Sequence, residues 1–217
     1  MTSIFFDPVV GVHYGTDQSI SKKRIMVVGN SHYCGDCPEC GDRSLSDGKC
    51  LNFTKNTVEL YLNPDESGYW MATYSTFVNS LLGRRSSLED RRTVFDSIIF
   101  YNYLQVSAGE DAYSTNRYDF RDVRHLNAFL EVVDHYRPDV VICWGATVWN
   151  VLPDDWGYGE AVKGCGVMAG SKEFRRYQTY PFKNEELLLI GVKHPCIGYS
   201  VDFHHQMFSQ LIGGLDV

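Results

Sequence analysis

Three short polar clusters interrupt apolar stretches of this chain: Asn30-Ser31-His32-Tyr33, Asn102-Tyr103-Leu104-Gln105 and His194-Pro195-Cys196. An imidazole such as His32 or His194 gives or takes a proton near neutral pH. The carboxamides of Asn30 and Asn102 each offer donors and acceptors, which suits holding a water or matching the edge of a heterocycle. Ser31 is a nucleophile only where a base stands beside it. A further group is of metal-ligand type. Cys34, Cys37, Cys40 and Cys50 share one stretch rich in Gly, Asp and Pro, which makes turns and cannot make a core. Four thiolates around a tetrahedral Zn²⁺ would staple it, and Cys37-Pro38-Glu39-Cys40-Gly41 looks like a zinc knuckle. Such a zinc is structural, because protein fills every coordination position. A 4Fe–4S cluster is the alternative, since two successive two-residue gaps match ferredoxin spacing.

These groups need elements to position them. Arg24–Gly29, Ser97–Tyr103, Asp139–Gly145 and Leu187–Lys193 carry continuous apolar runs, as parallel strands covered on both faces do. Helical periodicity lies between them. Tyr69–Leu82 has Tyr74, Phe77, Val78, Leu81 and Leu82 on one face, with Gly83 as the stop. Asp119–Tyr136 turns Val123, Leu126, Leu130 and Val133 inward. Ser200 caps a last helix burying Phe203, Met207, Phe208, Leu211 and Ile212, with His204-His205 on its polar face. The expected fold is α/β: a three-layer α/β/α sandwich around a central four-stranded parallel sheet, one domain over 1–217 with a cysteine-rich metal-binding insertion at 33–52. In such folds ligands sit beyond the carboxyl ends of the strands, which is where the polar clusters fall.

With 217 residues, 44% hydrophobic and 22% charged, the composition is that of an ordinary globular protein and excludes disorder, collagen and coiled coil. No apolar run reaches the roughly 18–20 residues of a membrane span, and the start lacks a basic segment before an apolar one. A cytoplasmic protein without a membrane partner is expected. The net charge of −7 argues against a general nucleic-acid coat, but not against a locally basic groove. Of the arginine doublets, Arg84-Arg85 and Arg91-Arg92 fit solvated surface. Arg175-Arg176, flanked by Phe174 and Tyr177, suits contact with a single strand of DNA.

Gly29-Asn30-Ser31-His32-Tyr33 after the first strand, Asn102 at the end of the second, Trp144-Gly145 after the third and His194-Pro195-Cys196 after the fourth together resemble the uracil-DNA glycosylase superfamily. The resemblance follows the order of elements from about residue 24 to 212 and is specific at these short motifs. It implies hydrolysis of the N-glycosidic bond of uracil or a modified pyrimidine in DNA, with the base flipped out of the stack or presented in a single strand. His194 would donate to the departing base, Asn102 would match its edge, and Tyr33 would crowd the pyrimidine 5-position. Phe53 is a candidate for stacking on the base. Asn30 or Ser31 would hold the attacking water. His32 would serve as a base, in place of the carboxylate that family members often carry, or would alter which base fits. The cysteine insertion is not placed like the family's cluster ligands.

Two other chemistries fit the same residues. Gly29-Asn30-Ser31-His32 also looks like the nucleophile block of Gly-Asp-Ser esterases, with Ser31 attacking, His205 taking its proton and Asp202 orienting the ring, although Asn30 replaces the usual Asp. A module that grips a base or nucleotide without cleaving it is the third.

Overall fold

The structure, a computed structural model, describes residues 2–35, 40–44, 46, 48–110, 119–164, 175–196, 198–213 and 215. Along the chain the strands are β1 (Val9–Val10), β2 (Ile25–Gly29), β3 (Ile98–Asn102), β4 (Val140–Trp144), β5 (Val162–Lys163), β6 (Arg175–Phe182) and β7 (Glu185–Val192). The four apolar runs of the sequence are β2, β3, β4 and β7, parallel neighbours in the order β3-β2-β4-β7. The expectation of four parallel strands needs correction, because the sheet is mixed and has seven strands in the order β1-β3-β2-β4-β7-β6-β5. β1 adds antiparallel to β3 at one margin, while β6 and β5 add antiparallel beyond β7 at the other. β6 has no continuous apolar run. Its sequence, RRYQTYPF, mixes polar and aromatic side chains on both faces, with Gln178, Tyr180 and Phe182 buried.

Period-two alternation divides each central strand between two cores. Ile25, Val27, Phe100, Ile142, Trp144 and Val192 face one, together with Phe77, Leu81 and Phe208. Met26, Val28, Tyr101, Val141, Cys143 and Leu189 face the other, together with Phe129 and Val132. Each such side chain contributes about 1.5–3 kcal/mol on burial, so both faces of the sheet are held by helices rather than by the ladder alone.

The helices are α1 (Gly48–Leu51), α2 (Phe53–Leu62), α3 (Met71–Leu82), α4 (Leu88–Ser97), α5 (Val123–Tyr136), α6 (Ala146–Trp149) and α7 (Val201–Leu211). α3 packs along α7 and ends at Gly83, whose φ of 69° favours glycine. A Cβ there would also lie 2.5 Å from the His205 ring. α4 begins with a capping box: Ser87 Oγ accepts from the Asp90 amide, and Asp90 accepts from the Ser87 amide. Arg84 pairs with Asp90 at 2.7 Å, and the Arg91 guanidinium lies over the Tyr61 ring. One member of each of these doublets therefore braces a helix.

Two helix faces differ from expectation. α5 starts at Val123 because Asp122 caps it, accepting from the Arg124 amide, and its buried face is His125, Ala128, Phe129, Val132 and Val133. Val123 is 60% exposed. On α7, Ser200 caps as expected, accepting from the Phe203 amide. His204 is fully buried, however, its ring stacked on Tyr199 at 3.8 Å, so it belongs to the packed face and not the polar one. Among the described residues no helix is long and apolar enough to cross a membrane.

Candidate functional site

The register of the parallel strands assembles the site. Gly29 stands opposite Asn102 where β2 and β3 end. Asn102 and Trp144 have the parity of Phe100 and Ile142 and so belong to the sheet face covered by α3. Tyr74 of α3 meets Phe100 at 5.3 Å and Trp144 at 5.5 Å, and Trp144 meets His194 edge-on at 6.2 Å. Phe100, Tyr74 and Trp144 thus form an aromatic floor between Asn102 and His194. Three strand spacings, roughly 14 Å, separate the backbones of β3 and β7.

Asn102 is held tightly. It is buried, and its Nδ2 lies 3.4 and 3.3 Å from the two ring nitrogens of His32. His32 Nε2 is 2.9 Å from Thr54 Oγ1, and Phe6 and Phe53 pack edge-on against the ring at 4.6 and 4.9 Å. Burial lowers the His32 pKa from 6.5 to about 3. The neutral ring satisfies both neighbours, with Nε2–H donating to Thr54 and Nδ1 accepting from Asn102. A protonated ring would set a donor against the Asn102 donor. His32 is therefore built as a clamp on Asn102 and is poorly suited to collect a proton. The Asn102 backbone carbonyl accepts from Gln105 Nε2 at 2.9 Å, and Gln105 Oε1 accepts from the amides of Phe5 and Phe6. Gly29 is required by close approach, since a Cβ there would lie 2.4 Å from Asn102 Oδ1.

The segments beyond β2 and β3 stay zipped together. The amides of Tyr103, Leu104 and Ala108 donate to the carbonyls of Gly29, Asn30 and His32 at 3.0, 3.0 and 2.8 Å. Along this edge Asn30 Oδ1, Ser31 Oγ and Trp144 Nε1 are buried without a hydrogen-bond partner among the described residues. Buried polar atoms in this condition are costly unless a water or ligand satisfies them. His194 is half-buried, and desolvation lowers its pKa, so the neutral ring with one N–H donor prevails at physiological pH. Tyr33 is 37% exposed, and its phenol is near enough to that of Tyr74 to raise the latter's pKa, after burial and Tyr61. Phe53, the first residue of α2, packs on His32, so the aromatic surface of the floor comes instead from Tyr74 and Trp144. Tyr74 is visible in the sequence only as a core position, as are Thr54 and Gln105 as ordinary polar residues; distance along the chain hides what they brace.

Other expected sets are not brought together. Ser31 Oγ has no partner among the described residues, whereas His205 turns Nδ1 to the Ser80 carbonyl at 3.3 Å and packs its ring over Gly83. The Ser31, His205 and Asp202 side chains therefore form no relay. Of the cysteine set, Cys34 is exposed, Cys40 and Cys50 are half-buried, and Cys37 lies outside the described residues. Cys40 Sγ accepts from the Ser107 amide at 2.9 Å. Among the described residues no three His, Cys, Asp or Glu side chains gather as a metal centre, and Cys37, one of the four expected ligands, lies outside them. Arg176 lines a cleft beside β6, and the side chain of Arg175 lies outside the described residues. Neither a scan against protein-family models nor a search of curated proteins finds a match to this chain.

Proposed function

We propose that this chain is a DNA glycosylase of the uracil-DNA glycosylase type, hydrolysing the N-glycosidic bond of uracil or a modified pyrimidine presented in a single strand or flipped from a duplex. The observation that carries the reading is that Asn102 ends β3 and His194 follows β7 at the carboxyl edge of the parallel strands, on the face where Phe100, Tyr74 and Trp144 pack together and Trp144 meets His194. A three-layer sandwich about the parallel strands belongs to the same proposal, supported by the apolar cores on both sheet faces.

The chemistry follows from the residues. The base enters between Asn102 and His194 and lies on the aromatic floor. His32 occupies one amide N–H of Asn102, leaving the second N–H and the carbonyl lone pairs for the pyrimidine edge. As the bond from C1′ to the base nitrogen breaks, its electron pair passes to the base and negative charge grows on the carbonyl oxygen. The neutral imidazole of His194 donates to that oxygen, in a setting where desolvation strengthens the bond. The unpartnered Oδ1 of Asn30 can orient a water toward C1′. That water's oxygen joins the sugar and its proton leaves to solvent. A dissociative path needs little help from a base, which fits an amide in place of a carboxylate. The cysteine stretch is, in the same proposal, a structural staple for zinc or alternatively a 4Fe–4S cluster, a reading supported by cysteine spacing alone and taking no part in the reaction.

The test is incubation with single strands containing deoxyuridine or modified pyrimidines, followed by alkali to reveal abasic sites. His194→Ala and Asn102→Ala are expected to reduce the single-turnover rate by about 10²–10³-fold each, the cost of losing one oriented donor. Undiminished activity in His194→Ala would sink the assignment. Asn30 in place of a carboxylate favours one second reading, a module that holds the base without cleaving it, which predicts retention of the strand and no abasic product.

A further inference from the structure

A cleft of about 620 Å³ opens between the segment that follows α6 and one face of β6. That size lies within the range of preformed small-molecule sites. Its wall includes Trp149, Asn150, Asp154, Lys163, Arg176 and Gln178. Register explains why the cations meet. Lys163 pairs with Gln178 across β5 and β6, and Arg176 lies two residues from Gln178 and so projects from the same face. The back of the cleft is rigid. Tyr180 stacks on Trp156 at 3.9 Å and donates its hydroxyl hydrogen to the Pro153 carbonyl, while Gln178 Nε2 donates to the Tyr180 oxygen. This fixes the Gln178 amide and leaves its remaining N–H and its carbonyl oxygen. The pair between Lys163 and Asp154, at 3.2 Å, is exposed on both sides, and such pairs hold weakly enough for a phosphate to displace.

The cleft lies toward the same carboxyl edge of the sheet as the candidate active site but opens on the other face, since Gln178 pairs with Leu189 and Tyr180 packs in that second core. Arg176 stands opposite Gly191 on β7, and three residues, at most about 11 Å of chain, lead from Gly191 to His194. α6 likewise starts directly after Trp144-Gly145, where the position of a Gly145 Cβ would be 3.5 Å from His194 Cβ.

We infer that this cleft is a nucleotide subsite for the DNA strand beside the reacting base, with a phosphate between Lys163 and Arg176, a base against Trp149, and Asn150 and Gln178 facing the base edge. It rests on the reading that the chain acts on DNA and adds where the rest of the strand lies. Two cations, an indole and two amides in one preformed hollow are the combination that recognises a nucleotide within a single strand, where stacking and phosphate neutralisation act together. It also gives a chain of net charge −7 a local basic contact.

The test is fluorescence anisotropy with a labelled single-stranded oligothymidylate of about 12 nucleotides, a length that spans one binding site and contains no base to excise. Affinity is measured across a salt series on the full chain. Lys163→Ala/Arg176→Ala is expected to weaken binding about tenfold and to lower the slope of log K against log salt by about 0.7, the contribution of the one phosphate held between the two cations. Trp149→Leu should weaken binding about tenfold with the slope unchanged, as loss of one stacked base does. Excision is read separately on a deoxyuridine strand, so a failed excision assay and a failed subsite give different results. Circular dichroism verifies folding, and Lys163→Gln alone, with a side chain 72% exposed, serves as a mild second variant expected to lower the slope in the same direction. Unchanged affinity and slope in the folded double variant would overturn the subsite. Thymidine monophosphate binding as tightly as the oligomer would overturn its assignment to a strand.

Discussion

The tightest contact in the candidate site is the passage of the Asn102 carboxamide over the Cα of Gly29. Gly29→Ala should leave the backbone undisturbed, since the strand is regular there, but must push the amide aside. A displacement of about 1 Å in a positioning group costs on the order of 10²-fold in rate. The expected result is therefore a folded protein with an excision rate down about tenfold to a hundredfold, checked by single-turnover kinetics beside a thermal melt. At this scale the sequence was partly legible. His194, Asn102 and Asn30 stand at strand ends because apolar runs stop just before them. His32 was not legible: its neighbours Thr54, Phe6 and Phe53 come from other parts of the chain, and only their convergence turns a would-be base into a neutral clamp.

Among elements, the cysteine stretch carries the clearest expectation. Elemental analysis of protein purified without chelator should give about one zinc per chain, and Cys34→Ser/Cys37→Ser should abolish it, because a tetrahedral structural site needs all its protein ligands. Absorbance near 400 nm with iron present would assign the cluster instead, and absence of both metals would remove the staple. The four parallel strands were legible because strands covered on both faces must be apolar throughout. β6 was not, since it opens with two arginines and buries a polar residue, Gln178, among its aromatics, so no apolar run marks it. The same residues suggested nucleic-acid contact, and Arg176 does line a cleft. On α5 and α7, helical periodicity located the helices but not the full buried face, because His125 and His204 are buried against expectation from polarity.

For the molecule as a whole, buried neutral histidines make stability depend on acid. His32 titrates near 3 in the folded chain against 6.5 when exposed, and burial also lowers the values of His125 and His194. Above 6.5 neither state holds the extra proton and nothing is lost. As pH falls below 6.5 the unfolded chain takes up a proton that folded His32 refuses, so stability declines toward pH 3 by about 1.4 kcal/mol per pH unit from this residue, and His125 and His194 act in the same direction. The urea midpoint should therefore drop between pH 7.5 and pH 5, and His32→Gln should flatten that drop; an equal slope in the variant would mean that His32 is not the group responsible.

The backbone ladder that ties Gly29–His32 to Tyr103–Ala108 has a consequence for how substrate is received. Neither segment can swing out alone, because each holds the other's carbonyls and amides, so the water-holding and edge-matching groups ride on one stiff hinge-free plate. Adaptation to a bulkier nucleobase would then have to come from the helix α3 side, where Tyr74 leans over the hollow, rather than from the loops that carry the reacting groups.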